Sequence, residues 1–150
     1  MLFRSNAHAT GTPAGDRAEL AAFDSALGEV GRTIPISATK STTGHLLGAS
    51  GVVEAIIATL TMRDQMLPPT LNLDDNEFPE WDIVSGHARK ASEGSNFAEA
   101  AVDTVLSTSF GFGGHNGAII LRRIARPATP STDATDPSTG ADDPSTKESR

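Results

Sequence analysis

No cysteine occurs among the 150 residues, which excludes disulfides, thiolate metal sites and a cysteine nucleophile supplied by this sequence. Positive charge is scarce as well: 12 lysines and arginines stand against 19 aspartates and glutamates, a formal charge of -7. A nucleic-acid binder needs a basic stripe, so nucleic acid is not an expected partner. The acidity is not confined to one end, because residues 127–150 account for -3 and residues 1–126 for -4. Long apolar runs are missing too, and none approaches the ~20 residues of a membrane helix. The opening Met1-Leu2-Phe3-Arg4-Ser5-Asn6 is too short in its apolar part for a signal peptide. A cytoplasmic location is the expectation.

What is present is an ordinary soluble composition, 37% hydrophobic with 14 glycines. Composition breaks at Arg126-Pro127. Beyond it lie Pro, Ser, Thr, Asp and Gly, with Asp136-Pro137-Ser138-Thr139 echoed at Asp143-Pro144-Ser145-Thr146. Such a stretch has nothing to bury against the entropy of ordering it. Residues 1–126 are therefore expected to form one domain and residues 127–150 a disordered tail.

Within the body, helix and strand signals alternate. A helix is expected over 13–28, with Pro13 near its start, Asp16 and Glu19 early, Leu20, Phe23 and Leu27 on one face and Gly28 at its end. A short strand is expected over 33–38. Residues 44–63 read as a helix apolar nearly all round, which implies burial between layers. Leu67-Pro68-Pro69-Thr70-Leu71-Asn72 is a proline-stiffened connector. Residues 74–101 are expected to be mostly loop, with a possible strand at Ile83-Val84. Strands over 102–109 and 117–124 are joined by a glycine-rich turn, and Ala118-Ile119-Ile120-Leu121 suits a strand covered on both faces. The strand leading into residue 8 looks cut short. The fold class is a layered α/β domain.

Two histidines sit in turns of small residues. His8 lies in Asn6-Ala7-His8-Ala9-Thr10-Gly11-Thr12-Pro13-Ala14-Gly15-Asp16, and His45 follows Lys40-Ser41-Thr42-Thr43-Gly44. Either ring alone could be a structural, hydrogen-bonded histidine. Together, neutral imidazoles donating N–H into a dry pocket can polarise a carbonyl or hold a carboxylate. Lys40 adds a charge that needs a partner when buried, and Asp16 and Glu54 are both available. Thr10 and Thr12 either cap the following helix or bind an amide-rich pantetheine arm. Phe110 and Phe112 suit the core, although Phe112, set among Gly111, Gly113 and Gly114, has room to swing. His87 reads as surface and His115 as structural. No metal-ligand spacing, dinucleotide fingerprint, P-loop or nucleophile elbow is present.

Four segments in order, Asn6 with its turn to Asp16, Lys40 to Glu54, Leu67 to Asn72 and Ser109 to Asn116, resemble the C-terminal part of β-ketoacyl-[acyl carrier protein] synthases. The elongating type II class is the nearest likeness. Ala9 and Arg63-Asp64-Gln65 resemble the actinobacterial enzymes that extend mycolic-acid precursors. The resemblance implies the C-terminal half of a thiolase-like layered α/β fold, in a family that is usually homodimeric. It implies decarboxylative condensation of an acyl thioester with malonyl-carrier protein in fatty-acid or mycolic-acid precursor synthesis. It assigns His8 and His45 to malonyl binding and decarboxylation, Lys40 to the site lysine, and Asp16 and Glu54 to its supporting acids. Thr10 and Thr12 become pantetheine ligands, and Phe112 the gate whose backbone N–H lines the oxyanion hole.

No metal and no bound cofactor are expected, the phosphopantetheine arm of the acyl carrier protein being the substrate carrier. The family's nucleophilic cysteine belongs to an N-terminal half that these residues do not contain, and no acyl-enzyme can form here by the family's route. The chain is expected to be inactive alone, as a segment or gene remnant. Alternatives are a split-enzyme subunit completed by a Cys-bearing chain, and a non-catalytic docking partner of a synthase dimer or carrier protein. An apolar face left without cover is expected.

Overall fold

The computed structural model describes residues 2–93 and 101–124. The expected tail and the boundary at 126/127 lie outside the described residues. Strand β1 (Leu2–Asn6) leads through a loop into helix α1 (Pro13–Leu27), then α2 (Glu29–Arg32), β2 (Ile36–Ser37), α3 (Lys40–Thr43) and α4 (Ser50–Asp64). Strands β3 (Met66–Leu67), β4 (Arg89–Lys90), β5 (Val102–Phe110) and β6 (Asn116–Arg122) complete the order. The main sheet runs β2-β1-β5-β6, and β3 and β4 pair separately. β1 is parallel to both β2 and β5, whereas β5 and β6 form an antiparallel hairpin.

The sheet is the middle of three layers. On one face Leu20 and Phe23 of α1 pack with Ala7, Ile36 and Trp81. On the other, Ala58 and Met62 of α4 pack with Leu67, Val84, Ala91, Val102 and Val105. Alternation along β1 sorts its side chains between these layers. Arg4 bonds Thr61 of α4 and Asn6 accepts from Thr39, while Ala7 joins the α1 cluster. Proline at the start and Gly28 at φ 61 set the limits of α1 as expected.

Several expectations need correction. Where almost no strand length is expected before His8, β1 has five residues and is a central strand, paired with β2 and β5. The helix expected from residue 44 begins at Ser50, after a 3₁₀ turn at Leu47–Ala49 where Leu47 takes φ 50. Nor is that helix buried all round. Glu54, Ala58, Thr61 and Met62 face inward, but Val52 and Ile56 are 66% and 53% exposed. Ala118-Ile119-Ile120-Leu121 lies on the edge strand β6, and Ile120 is 67% exposed because no described element covers that part of the sheet. Ile83 makes only an isolated bridge to Ile36, and the β3–β4 pairing was not anticipated.

Candidate active site

In a parallel sheet the loops that leave the carboxyl ends of neighbouring strands open on the same crevice. Here β1 runs into the loop bearing His8, and β2 runs into α3 and the loop bearing His45. The two imidazoles meet edge to face, with centroids 5.4 Å apart and planes at 88°. Phe110, at the end of β5, packs edge-on against His8 at 5.7 Å. Three strands thus contribute one aromatic ring each, directly or through the loop that follows.

The His8 turn is held from below by Glu19, which in the sequence alone is an early acid of α1. One carboxylate oxygen accepts the His8 N–H at 2.8 Å, and the other accepts the Ala9 N–H at 2.9 Å. Thr108 of β5 donates its hydroxyl to the first oxygen at 2.5 Å. Ala9 has φ 28, in the left-handed region that non-glycine residues avoid. The forked carboxylate compensates that turn with two charge-assisted bonds. A signal for Glu19 did exist: it lies beside Leu20 and four residues before Phe23, on the buried side of α1.

Lys40 and Glu54, both buried, form an ion pair under the histidines. Burial pushes the Glu54 carboxyl above its ordinary range, more than Lys40 pulls it down; Glu19 also raises it. His8 is held below the usual histidine value, first by loss of solvent, then by the charge of Lys40 and the neighbouring His45. Asp16 does not share this cluster. Its half-buried carboxyl is raised by burial against the opposing backbone of residues 10–12, with Glu77 as the other charge acting on it. Between the two acids offered by the sequence, Glu54 is the partner of Lys40.

His45 Nδ1 accepts the backbone N–H of Leu47 at 3.1 Å. A ring nitrogen that accepts carries no proton, so the neutral ring bears its proton on Nε2. Thr12 occupies the N-cap position of α1 but makes no side-chain cap. Its hydroxyl lies 3.2 Å from that of Thr10, both exposed on the turn. A Cβ at Gly15 would sit 2.5 Å from the Thr12 hydroxyl, so a larger residue there would push that hydroxyl to another rotamer. Phe112 is 95% exposed in the 3₁₀ turn Phe112–Gly114, so the ring packed on His8 is Phe110's. His87 and His115 are exposed and outside the pair.

Among the described residues no helix is long and apolar enough to cross a membrane. A family model described as "Beta-ketoacyl synthase, C-terminal domain" matches residues 5–74. The chain is 48% identical over 122 residues to 3-oxoacyl-[acyl-carrier-protein] synthase 2 of Vibrio harveyi, an alignment covering 80% of this chain and 27% of the relative. It thus spans about a quarter of the length of the curated relatives it matches. A crystal structure of a beta-ketoacyl synthase from Burkholderia phymatum STM815 is similar with a TM-score of 0.68 and 37% identity, over 82% of this chain and 28% of that one. A type II polyketide synthase acyl-carrier protein in complex with its ketosynthase has a TM-score of 0.68 at 28% identity, over 81% of this chain and 28% of that one.

Proposed function

This chain belongs to the β-ketoacyl synthase C-terminal domain family, and on that premise we propose that His8 and His45 form the decarboxylating wall of a condensing site for carrier-protein thioesters. The observation that carries the reading is the 5.4 Å pairing of the two rings, with His8 biased toward its neutral form by burial and Lys40. Neutral imidazoles donate hydrogen bonds without adding a full charge to the pocket.

When the malonyl C–C bond breaks, CO2 leaves and the electron pair moves through the α-carbon to the thioester oxygen. Donors fixed around that oxygen stabilise the resulting enolate more than the ground-state carbonyl. His45 offers Nε2–H, and His8 supplies the second donor. The enolate carbon then attacks an acyl thioester, and its sulfur departs as thiolate. That sulfur comes from a cysteine outside this sequence, on a preceding segment or on a separate chain. Thr10 and Thr12 hold the amides of the phosphopantetheine arm, and the backbone N–H of Phe112 contributes to the oxyanion hole. Lys40, fixed by Glu54, holds a positive charge near His8. Asp16 supports the Thr10–Thr12 turn.

The open apolar stripe of α4, Val52, Ile56 and Leu60, supports a companion layer from the cysteine-bearing part. The carrier protein is the second partner, in keeping with the ketosynthase complex described above. The test joins this chain to a cysteine-bearing synthase N-terminal part and follows CO2 release and 3-oxoacyl product from malonyl-carrier protein. His8→Ala and His45→Ala should each lower decarboxylation by roughly 10²–10³-fold, the loss expected for one donor to a developing oxyanion. Unchanged decarboxylation in both variants would overturn the reading, as would condensation by this chain without any added cysteine.

A further inference from the structure

We propose that Ser50, the first residue of α4, is a positioning residue that acts with the Leu47 N–H to hold the tautomer and the orientation of His45. The inference rests on the decarboxylating role given to that ring. Ser50 is buried, and its hydroxyl oxygen accepts the backbone N–H of Leu46 at 2.9 Å. The same oxygen lies 3.1 Å from His45 Nδ1.

The direction of this last bond follows from its neighbours. Leu47 N–H already points at Nδ1, and a protonated Nδ1 would set two N–H groups against each other. Nδ1 is therefore an acceptor, and its single lone pair is shared between the Leu47 N–H and the Ser50 hydroxyl, a three-centre bond in which Ser50 donates. The result is a closed circuit: Leu46 N–H to Ser50, Ser50 O–H to His45, Leu47 N–H to His45.

The two donors hold the ring from different elements. Leu47 belongs to the turn itself, where φ 50 makes the backbone costly to keep. Ser50 belongs to α4, and Glu54, the buried partner of Lys40, lies one turn further along the same inward face. The hydroxyl thereby ties the imidazole to the helix that also anchors the site lysine. With it, Nε2–H is directed by two bonds; without it, the ring turns about a single contact to a strained loop.

The experiment uses the assembled cysteine-bearing synthase, with the histidine nitrogens of this chain alone labelled with ¹⁵N and its four histidines distinguished by a His45 substitution. His45 should show a pyridine-like Nδ1 and a protonated Nε2. Ser50→Ala, which leaves the Leu47 N–H as the one donor to Nδ1, should move both shifts part of the way toward the averaged values of exchanging tautomers. It should also lower kcat for malonyl decarboxylation about ten-fold, the size of one lost hydrogen bond, with KM changed far less. Ser50→Thr, which keeps the hydroxyl, should restore the shifts and most of the rate.

A parent ring protonated at Nδ1 would overturn the proposal, and so would shifts or a kcat that Ser50→Ala leaves unmoved. If the parent assembly releases no CO2 at all, the proposed function fails, while the nitrogen shifts still decide whether Ser50 sets the tautomer.

Discussion

Arg4 is a charge placed in the middle of a sheet. Its side chain is fully buried on the central strand, and among the described residues its one hydrogen bond goes to Thr61, while Nε and Nη2 find no acceptor. Burial alone brings its pKa down to about 10. A guanidinium so poorly satisfied costs more in lost hydration than its single bond returns. Arg4→Met, similar in reach and apolar, should raise stability by about 1–4 kcal/mol, read from urea or guanidinium midpoints; a loss of stability would show that the charge has a compensating partner. Residue by residue, the site was unevenly visible in the sequence. His8 and His45 stood out because glycine and threonine around a polar ring have few other uses. Glu54 was one of two carboxylates on offer, and only packing decided between it and Asp16. Glu19 was hidden because an acid near a helix start already has a sufficient explanation in the helix dipole. Phe110 and Phe112 differ by two positions in sequence, and nothing local says which ring meets the histidine.

At the scale of elements, α4 carries two kinds of face. Its inward side has a buried ion pair and the core residues Ala58 and Met62; its outward side has Val52, Ile56 and Leu60 in an unbroken i, i+4, i+8 row. A row of that kind in water is a contact surface awaiting its cover. Ile56→Arg should leave the stability of this chain within about 0.5 kcal/mol, as surface changes usually do. It should abolish co-purification with the cysteine-bearing synthase part; retained co-purification would mean that α4 faces solvent in the assembly. The pattern itself was legible, since an all-round apolar helix is read directly from residues 44–63. Its start was not, because Leu46 and Leu47 are apolar and yet belong to the turn that carries His45. Strand β6 misled for a related reason: apolar content reports that a face wants burial, and only the arrangement of layers tells whether this chain supplies it.

For the whole molecule, the pH dependence of folding should bear the mark of the site. His8 binds its proton less readily in the folded chain than at its ordinary value of 6.5. Below that value the unfolded state takes up a proton that the folded state resists, so this contribution to stability is present above pH 6.5 and is lost as pH falls toward the folded value. Asp16 and Glu54, held up by burial, act in the opposite sense, their contribution fading as pH rises through their raised values. The difference in unfolding free energy between the parent and His8→Gln isolates the first effect and should shrink as pH drops below about 6.5; a difference independent of pH would show that the ring titrates normally. The order of the sheet was the least legible feature, because β1 meets β5 across almost a hundred residues of chain. The pairing of β1 with β2 carries a further consequence. The register Asn6↔Ser37 is a ruler for the catalytic pair, since β1 delivers His8 just past its end and β2 leads through α3 to His45. The smallest slip that keeps every side chain on its own face is two residues, about 7 Å along the strand, which exceeds the whole 5.4 Å gap. A ladder allowed to slide would separate the two proton donors while leaving both histidines, and every atom of their rings, untouched.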